Sequence, residues 1–180
     1  ERHGYDPTWR HESVAEHSWR PALMAFLLKD QIPGVDMVRV LKMCLIHDLG
    51  EAITGDIPTF EKTAANERTE AKAIDGLVAS LPQPLSGELA ALFAEMEALE
   101  TPEAQVCKAL DRMETIIQHN EAPISTWLPL EYEKNLVYGK EQCAFSPYTS
   151  ALQERVKNDC LEKIRREGSG EPAENQENTP

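Results

Sequence analysis

Apolar residues recur at intervals of three and four over most of residues 13–166, the spacing of one face of an α-helix. Ser13-Val14-Ala15-Glu16 has the form of a capping box, with Ser13 as N-cap and Glu16 at the third helical position. It predicts a helix to about Asp30, with a kink or broken turn at Pro21. Pro33-Gly34 punctuates the chain, and Asp36 caps a second helix expected to run to about Leu49. That helix is apolar nearly all round, which predicts the central, most buried place in the fold. Gly50, Gly55 and Pro58 then interrupt the pattern.

A mainly polar helix is expected over 63–81, ended by Pro82 and Pro84. Ser86 opens another, with Leu89, Leu92, Phe93, Met96 and Leu99 toward one side. Thr101-Pro102-Glu103 is a helix start with proline at its first position. Its helix reaches about His119, with Val106, Leu110, Met113 and Ile117 as the core stripe. Residues 123–147 are mixed, with one short helix around 131–141, and a last helix covers 150–166. No strand pattern lies between Val14 and Ile117, so the chain reads as all-α, one helical domain over residues 1–166.

Composition changes the picture at the C-terminus. Residues 167–180 carry four Glu, two Pro, two Gly and no Lys or Arg, and are expected to form a disordered acidic tail. The 180-residue chain has a net charge of −13, about −9 without those glutamates. Neither value leaves a basic track for a nucleic-acid polymer. Small anionic ligands stay open, because a local metal and a few arginines override net charge. The four cysteines form no C-x-x-C, and Cys44 and Cys107 fall in apolar helical patterns as buried thiols. With no signal peptide and no apolar run near the ~20 residues of a membrane span, the expected compartment is reducing and cytoplasmic. The first residue is Glu1 rather than Met, so a preceding N-terminal element is expected.

The candidate chemistry centres on few residues. Histidine occurs only at positions 3, 11, 17, 47 and 119. His47-Asp48 ends the most apolar helix, where a charged side chain is expensive unless it is paired, hydrogen-bonded or metal-bound. Glu51 follows at helical spacing, on the same side if the turn continues. Two His and two Asp make a ligand set for a divalent metal with open positions. The residues alone equally allow a satisfied core histidine at 47, a helix-end carboxylate at 48, and an Asp111 paired with Lys108 or Arg112.

The ordered pattern is Glu12-Ser13-Val14-Ala15-Glu16-His17, His47-Asp48-Leu49-Gly50-Glu51, Thr54-Gly55-Asp56-Ile57-Pro58, then Leu110-Asp111-Arg112-Met113-Glu114. Over residues 2–120 it resembles the HD-domain superfamily, in the branch with the bacterial 5′-deoxynucleotidases and the human HD domain-containing protein 2. The resemblance implies an HD-domain helical bundle whose metal ligands match His17, His47, Asp48 and Asp111. It implies Glu51 and Asp56 as catalytic acids and Arg2 as a substrate contact, followed by His3 where the bacterial enzymes have Trp. No histidine lies between His47 and His119, which implies one divalent transition metal (manganese, cobalt, iron or zinc) rather than two. Ala52 after Glu51 departs from the H-D-x-x-E-D of the guanosine tetraphosphate hydrolases. The implied activity is removal of the 5′-phosphate of (deoxy)ribonucleoside monophosphates, with a small-molecule nucleotide substrate, no membrane and a possible homodimer. The alternatives are hydrolysis of another small phosphate ester or pyrophosphate, or nucleotide binding without catalysis. Arg10 and Arg20 are further phosphate candidates, against a reading as solvated surface.

Overall fold

The computed structural model describes residues 1–57 and 61–168; Pro58 and the expected tail from 169 onward lie outside the described residues. Among the described residues the chain is an all-α bundle. Its helices are α1 (Val14–Leu28), α2 (Met37–Ile46), α3 (Glu51–Thr54), α4 (Ala64–Ala79), α5 (Leu85–Ala98), α6 (Pro102–Glu121), α7 (Glu131–Lys134) and α8 (Pro147–Glu167). No helix among them is long and apolar enough to cross a membrane.

Local chemistry fixes most helix starts. The Ser13 hydroxyl accepts from the Glu16 N–H and the Glu16 carboxylate accepts from the Ser13 N–H, both halves of the capping box. Thr63 and Asn66 repeat the device at α4, and Asp36 accepts from the N–H groups of Val38 and Arg39 at α2. Pro102 and Pro147 stand in first turns, where a missing N–H has no helical partner to lose. α1 runs through Pro21 as one helix, so of the kink or broken turn expected there the broken turn is absent. Only one backbone bond is forfeited there, and Pro21 is buried with Ala22 and Ala25 against the core.

The central helix is α6 and not α2. α6 packs against α1, α2, α5 and α8, and it buries Val106, Cys107, Ala109, Leu110, Met113 and Ile116. α2 buries only Val40, Met43 and Cys44, while Val38 and Leu45 are 64% and 52% exposed. An apolar circumference thus reflects composition here, because α2 covers the core from one side only. α2 also stops at Ile46, and residues 47–50 form a turn whose Asp48 carbonyl accepts the Glu51 and Ala52 N–H groups that start α3. The helix expected over 131–141 is confined to α7. Beyond it the chain turns, seating Cys143 in the main core and Tyr138 beneath the Arg112 guanidinium at 4.6 Å. α8 extends one residue past the expected end, where Lys163 Nζ meets Glu167 Oε2 at 2.8 Å.

Leu110 is fully buried in the main cluster with Met43, Cys44, Val106 and Met113. Leu110→Ala is expected to destabilise the fold by about 2–5 kcal/mol in urea unfolding. Leu45→Ala, at a half-exposed position, should cost less than about 1 kcal/mol in the same experiment.

Candidate metal centre

Four segments meet at the inner face of α6. α1 contributes His17, the turn after α2 contributes His47 and Asp48, and α6 contributes Asp111. The fourth is the N-terminal arm, folded back by the hydrogen bonds Arg2 N–H to Glu12 O (2.7 Å) and Glu12 N–H to Gly4 O (3.0 Å). Gly4 lies so near Gln118 that an added Cβ would fall 2.6 Å from its Oε1, and Gln118 Nε2 donates to the Tyr5 carbonyl. This close approach carries Arg2 and His3 to the site.

His17, His47, Asp48 and Asp111 converge. His17 Nε2 lies 3.1 Å from His47 Nε2 and 3.4 Å from both Asp48 Oδ2 and Asp111 Oδ1. His47 Nε2 is 3.4 Å from Asp48 Oδ2 and 3.8 Å from Asp111 Oδ1. The other ring nitrogens are engaged elsewhere: His17 Nδ1 with Glu114 Oε2 at 2.5 Å, and His47 Nδ1 with the Cys44 carbonyl at 2.8 Å. Such contacts orient both Nε2 atoms toward one point, as ligating histidines require. Ligands ~2.0–2.2 Å from an ion stand ~2.9–3.6 Å apart in octahedral or tetrahedral arrangements, so the set fits a divalent metal after small adjustments.

Electrostatics point the same way. Burial alone would lower both imidazoles, but Asp111 and Glu114 hold His17 up at about 9, and Asp48 and Asp111 hold His47 up at about 9. Asp111 opposes its own burial through Lys108 and the two histidines and sits well below the usual carboxylate range. The centre therefore demands positive charge, as protons on the imidazoles or as a metal ion that displaces them. Asp111 also meets Lys108, with Oδ2 2.9 Å from Nζ, while Oδ1 faces the histidines. The ion-pair and ligand readings of this residue thus use different oxygens.

The acids beside the centre differ sharply. Burial, reinforced by Asp48 and Asp56, pushes Glu51 up to about 7; its Oε1 is 3.3 Å from Lys62 Nζ, and its buried Oε2 has no hydrogen bond among the described residues. Asp56 resists the same burial and is held down at about 2 by hydrogen bonds from His3, Nδ1 at 2.6 Å and backbone N–H at 2.9 Å. Arg2 faces Glu12, Glu114 and Asp56 at 3.6, 3.9 and 4.0 Å, and its buried Nε has no hydrogen-bond partner among the described residues.

Sequence reasoning left two functional acids without a role. Glu114, fully buried one turn after Asp111, fixes His17 and pairs with Arg20 Nε at 2.7 Å; its spacing from Asp111 was the available signal. Glu12 is buried beside Arg2 and is pushed up to about 7 by that burial and by Glu114. Arg20 bridges Glu114 and Glu121 rather than lying in solvent, whereas Arg10 is an exposed partner of Asp6 and Glu16.

Residues 1–153 match the HD_3 family of HD domains. The chain belongs to the HD-domain family. The stretch of the HD domain so matched contains every residue of the candidate centre. The 5′-deoxynucleotidase HDDC2 of Homo sapiens is 36% identical over 119 residues, covering 65% of this chain and 57% of that protein. The 5′-deoxynucleotidase hdd1 of Schizosaccharomyces pombe is 36% identical over 113 residues, 59% of this HD-domain chain and 56% of its own. The chain spans little more than half the length of the curated relatives it matches. A crystal structure of a predicted metal-dependent phosphohydrolase from Magnetospirillum magnetotacticum MS-1 shares the HD-domain chain's fold with a TM-score of 0.75 at 32% identity. It covers 90% of this chain and 84% of the other.

Asp48→Ala is expected to lose the metal, read by elemental analysis of protein shown to be folded. Glu114→Gln keeps all four ligands but loosens His17, and should weaken metal affinity by about 10–100-fold in a competition titration. Glu12 gives a pH signature. Its ordinary value is 4.5 and its folded value about 7, so the folded chain holds more protons in that window and loses stability as the pH rises through it. Glu12→Gln should therefore raise the thermal midpoint at pH 8, with the gain shrinking toward pH 5. An equal gain at both pH values would contradict the assignment.

Proposed function

We propose that this chain is a metal-dependent 5′-nucleotidase that removes the 5′-phosphate of deoxyribo- or ribonucleoside monophosphates. His17, His47, Asp48 and Asp111 hold one divalent transition metal in this reading: manganese, cobalt, iron or zinc. The observation that carries it is a juxtaposition at the inner face of α6. The ligand set stands beside a carboxyl poised at about 7 and a buried guanidinium with an uncommitted nitrogen. A divalent ion supplies neutralisation of phosphoryl charge and acidification of water. Arg2 binds the phosphate oxygens, since its carboxylate neighbours stand too far off to satisfy it. His3, adjacent to Arg2, borders the substrate on the nucleoside side. Glu51 takes the proton of the attacking water and returns it to the leaving 5′-oxygen as the phosphorus–oxygen bond breaks, and its value near 7 suits both transfers at neutral pH. Asp56, held at about 2, stays ionised and keeps His3 and Arg2 in place. The substrate class rests on the relatives, which are 5′-deoxynucleotidases.

A phosphate-release screen over nucleoside monophosphates and other small phosphate esters, with each metal in turn, tests the reading. Release from deoxynucleoside monophosphates that stops on chelation is expected. No release from any nucleotide with any metal would refute it. Glu51→Ala should retain metal and fold while turnover falls about 10²- to 10⁴-fold. With Glu51 as base, wild-type kcat/KM should rise as the pH passes up through about 7, and Glu51→Ala should lose that limb.

A further inference from the structure

Glu51 is gripped from outside the metal centre. Its Oε1 lies 3.3 Å from Nζ of Lys62, two residues before α4, and the same Nζ lies 2.5 Å from Glu70 Oε2 on α4. One ammonium therefore bridges two carboxylates, and all three side chains are largely withdrawn from solvent. Burial would lower Lys62, but Glu70 and Glu51 hold it raised, so it stays charged. The two oxygens of Glu51 are thereby divided: Oε1 is engaged by Lys62, and buried Oε2 has no hydrogen bond among the described residues. A carboxylate pinned through one oxygen resists rotation, so the other oxygen keeps its direction.

The bridge is built into the way α4 docks. The Thr63–Asn66 capping box starts α4 directly after Lys62 and so fixes where that residue enters the helix. α4 also presses on the turn between α2 and α3. A Cβ added at Gly50 would fall 2.5 Å from Glu70 Cγ and 3.1 Å from Ile74 Cγ1, so the absence of a side chain at 50 is what lets Glu70 approach. α4 has no fully buried residue of its own. This mainly polar helix thus brings a carboxylate to the very turn that carries His47, Asp48 and Glu51.

We propose that Lys62, anchored by Glu70, is a positioning residue that holds Glu51 through Oε1 and leaves Oε2 as the oxygen that takes and returns the proton. This role rests on Glu51 being the proton carrier of the proposed phosphohydrolase. Lys62 acts through Glu51 and not on the substrate, because its ammonium is committed to two carboxylates. A reacting group displaced by about 1 Å can lose about 10²-fold in rate, which sets the scale of the effect. α4 is then the support of the proton carrier.

The full chain, loaded with the metal that supports phosphate release, is compared with its Lys62→Met variant. Lys62→Met should lower kcat about 10- to 100-fold with KM nearly unchanged. It should keep its metal by elemental analysis and bind inorganic phosphate as tightly as wild type in a calorimetric titration. Lys62→Arg, which keeps the charge and the donors, should recover most of the turnover. Added to Glu51→Ala, Lys62→Met should cost nothing further, because no carboxylate is left to position. Circular dichroism checks the fold, and if Lys62→Met is unfolded, Glu70→Gln carries the same split of kcat against KM. Unchanged kcat, an equal loss in the Glu51→Ala background, or weakened phosphate binding with a raised KM overturns the role of Lys62 and leaves the phosphohydrolase reading standing. A wild-type chain that releases no phosphate refutes that reading, and the role of Lys62 with it.

Discussion

A buried carboxylate is expensive unless a cation or hydrogen-bond donors face it, and around α6 this chain gathers Glu12, Asp48, Glu51, Asp56, Asp111 and Glu114. The compensation comes from every side. Arg2 arrives on the N-terminal arm, Arg20 on α1, Lys62 from the segment before α4, and Lys108 from α6 itself. His17 and His47 complete it, both held up at about 9 by the acids they face. The folded-back arm brings Arg2 within 4.0 Å of Glu12, Glu114 and Asp56, and α1 sets His17 between Asp111 and Glu114. A divalent ion in the centre satisfies the same demand with more charge at one point.

Two acids close in sequence are given opposite characters by their surroundings. Glu51 is buried among like charges with one oxygen unpartnered, and rises to about 7. Asp56 is equally enclosed but accepts two hydrogen bonds from His3, and drops to about 2. Environments that push a pair of carboxyls apart separate a proton-transfer group from a fixed anion. The same arrangement works against stability. Glu12 and Glu51, pushed upward by burial, penalise the folded state at neutral pH, and the apolar contacts of α6 with its neighbours have to outweigh them.

Helix type, most helix starts and the list of chemically interesting residues were legible in the sequence, because each rests on local interactions. The Ser13 capping box, the Asp36 cap and the proline that starts α6 act within three or four residues, so their signal is complete in a short window. The ordered motif also placed His17, His47, Asp48 and Asp111 on a single list, and the fold brings them within 3.8 Å of one another along the measured pairs.

What only the tertiary structure decided was which faces meet. An apolar circumference states that a helix can be buried, not that neighbours exist to cover it, so α2 stays half exposed while α6, with its mixed surface, becomes the hub. Polar pairings across long sequence separations leave no local trace. Glu114 finds His17 from 97 residues away, Arg20 finds Glu121 from 101, and His3 meets Asp56 from 53. The division of Asp111 between Lys108 and the histidines likewise exists only once the bundle closes. Sequence by itself set the elements and the chemical inventory, because those follow from near neighbours along the chain. The environments that give each group its charge state were set by packing, because burial and electrostatic partners are properties of the folded whole.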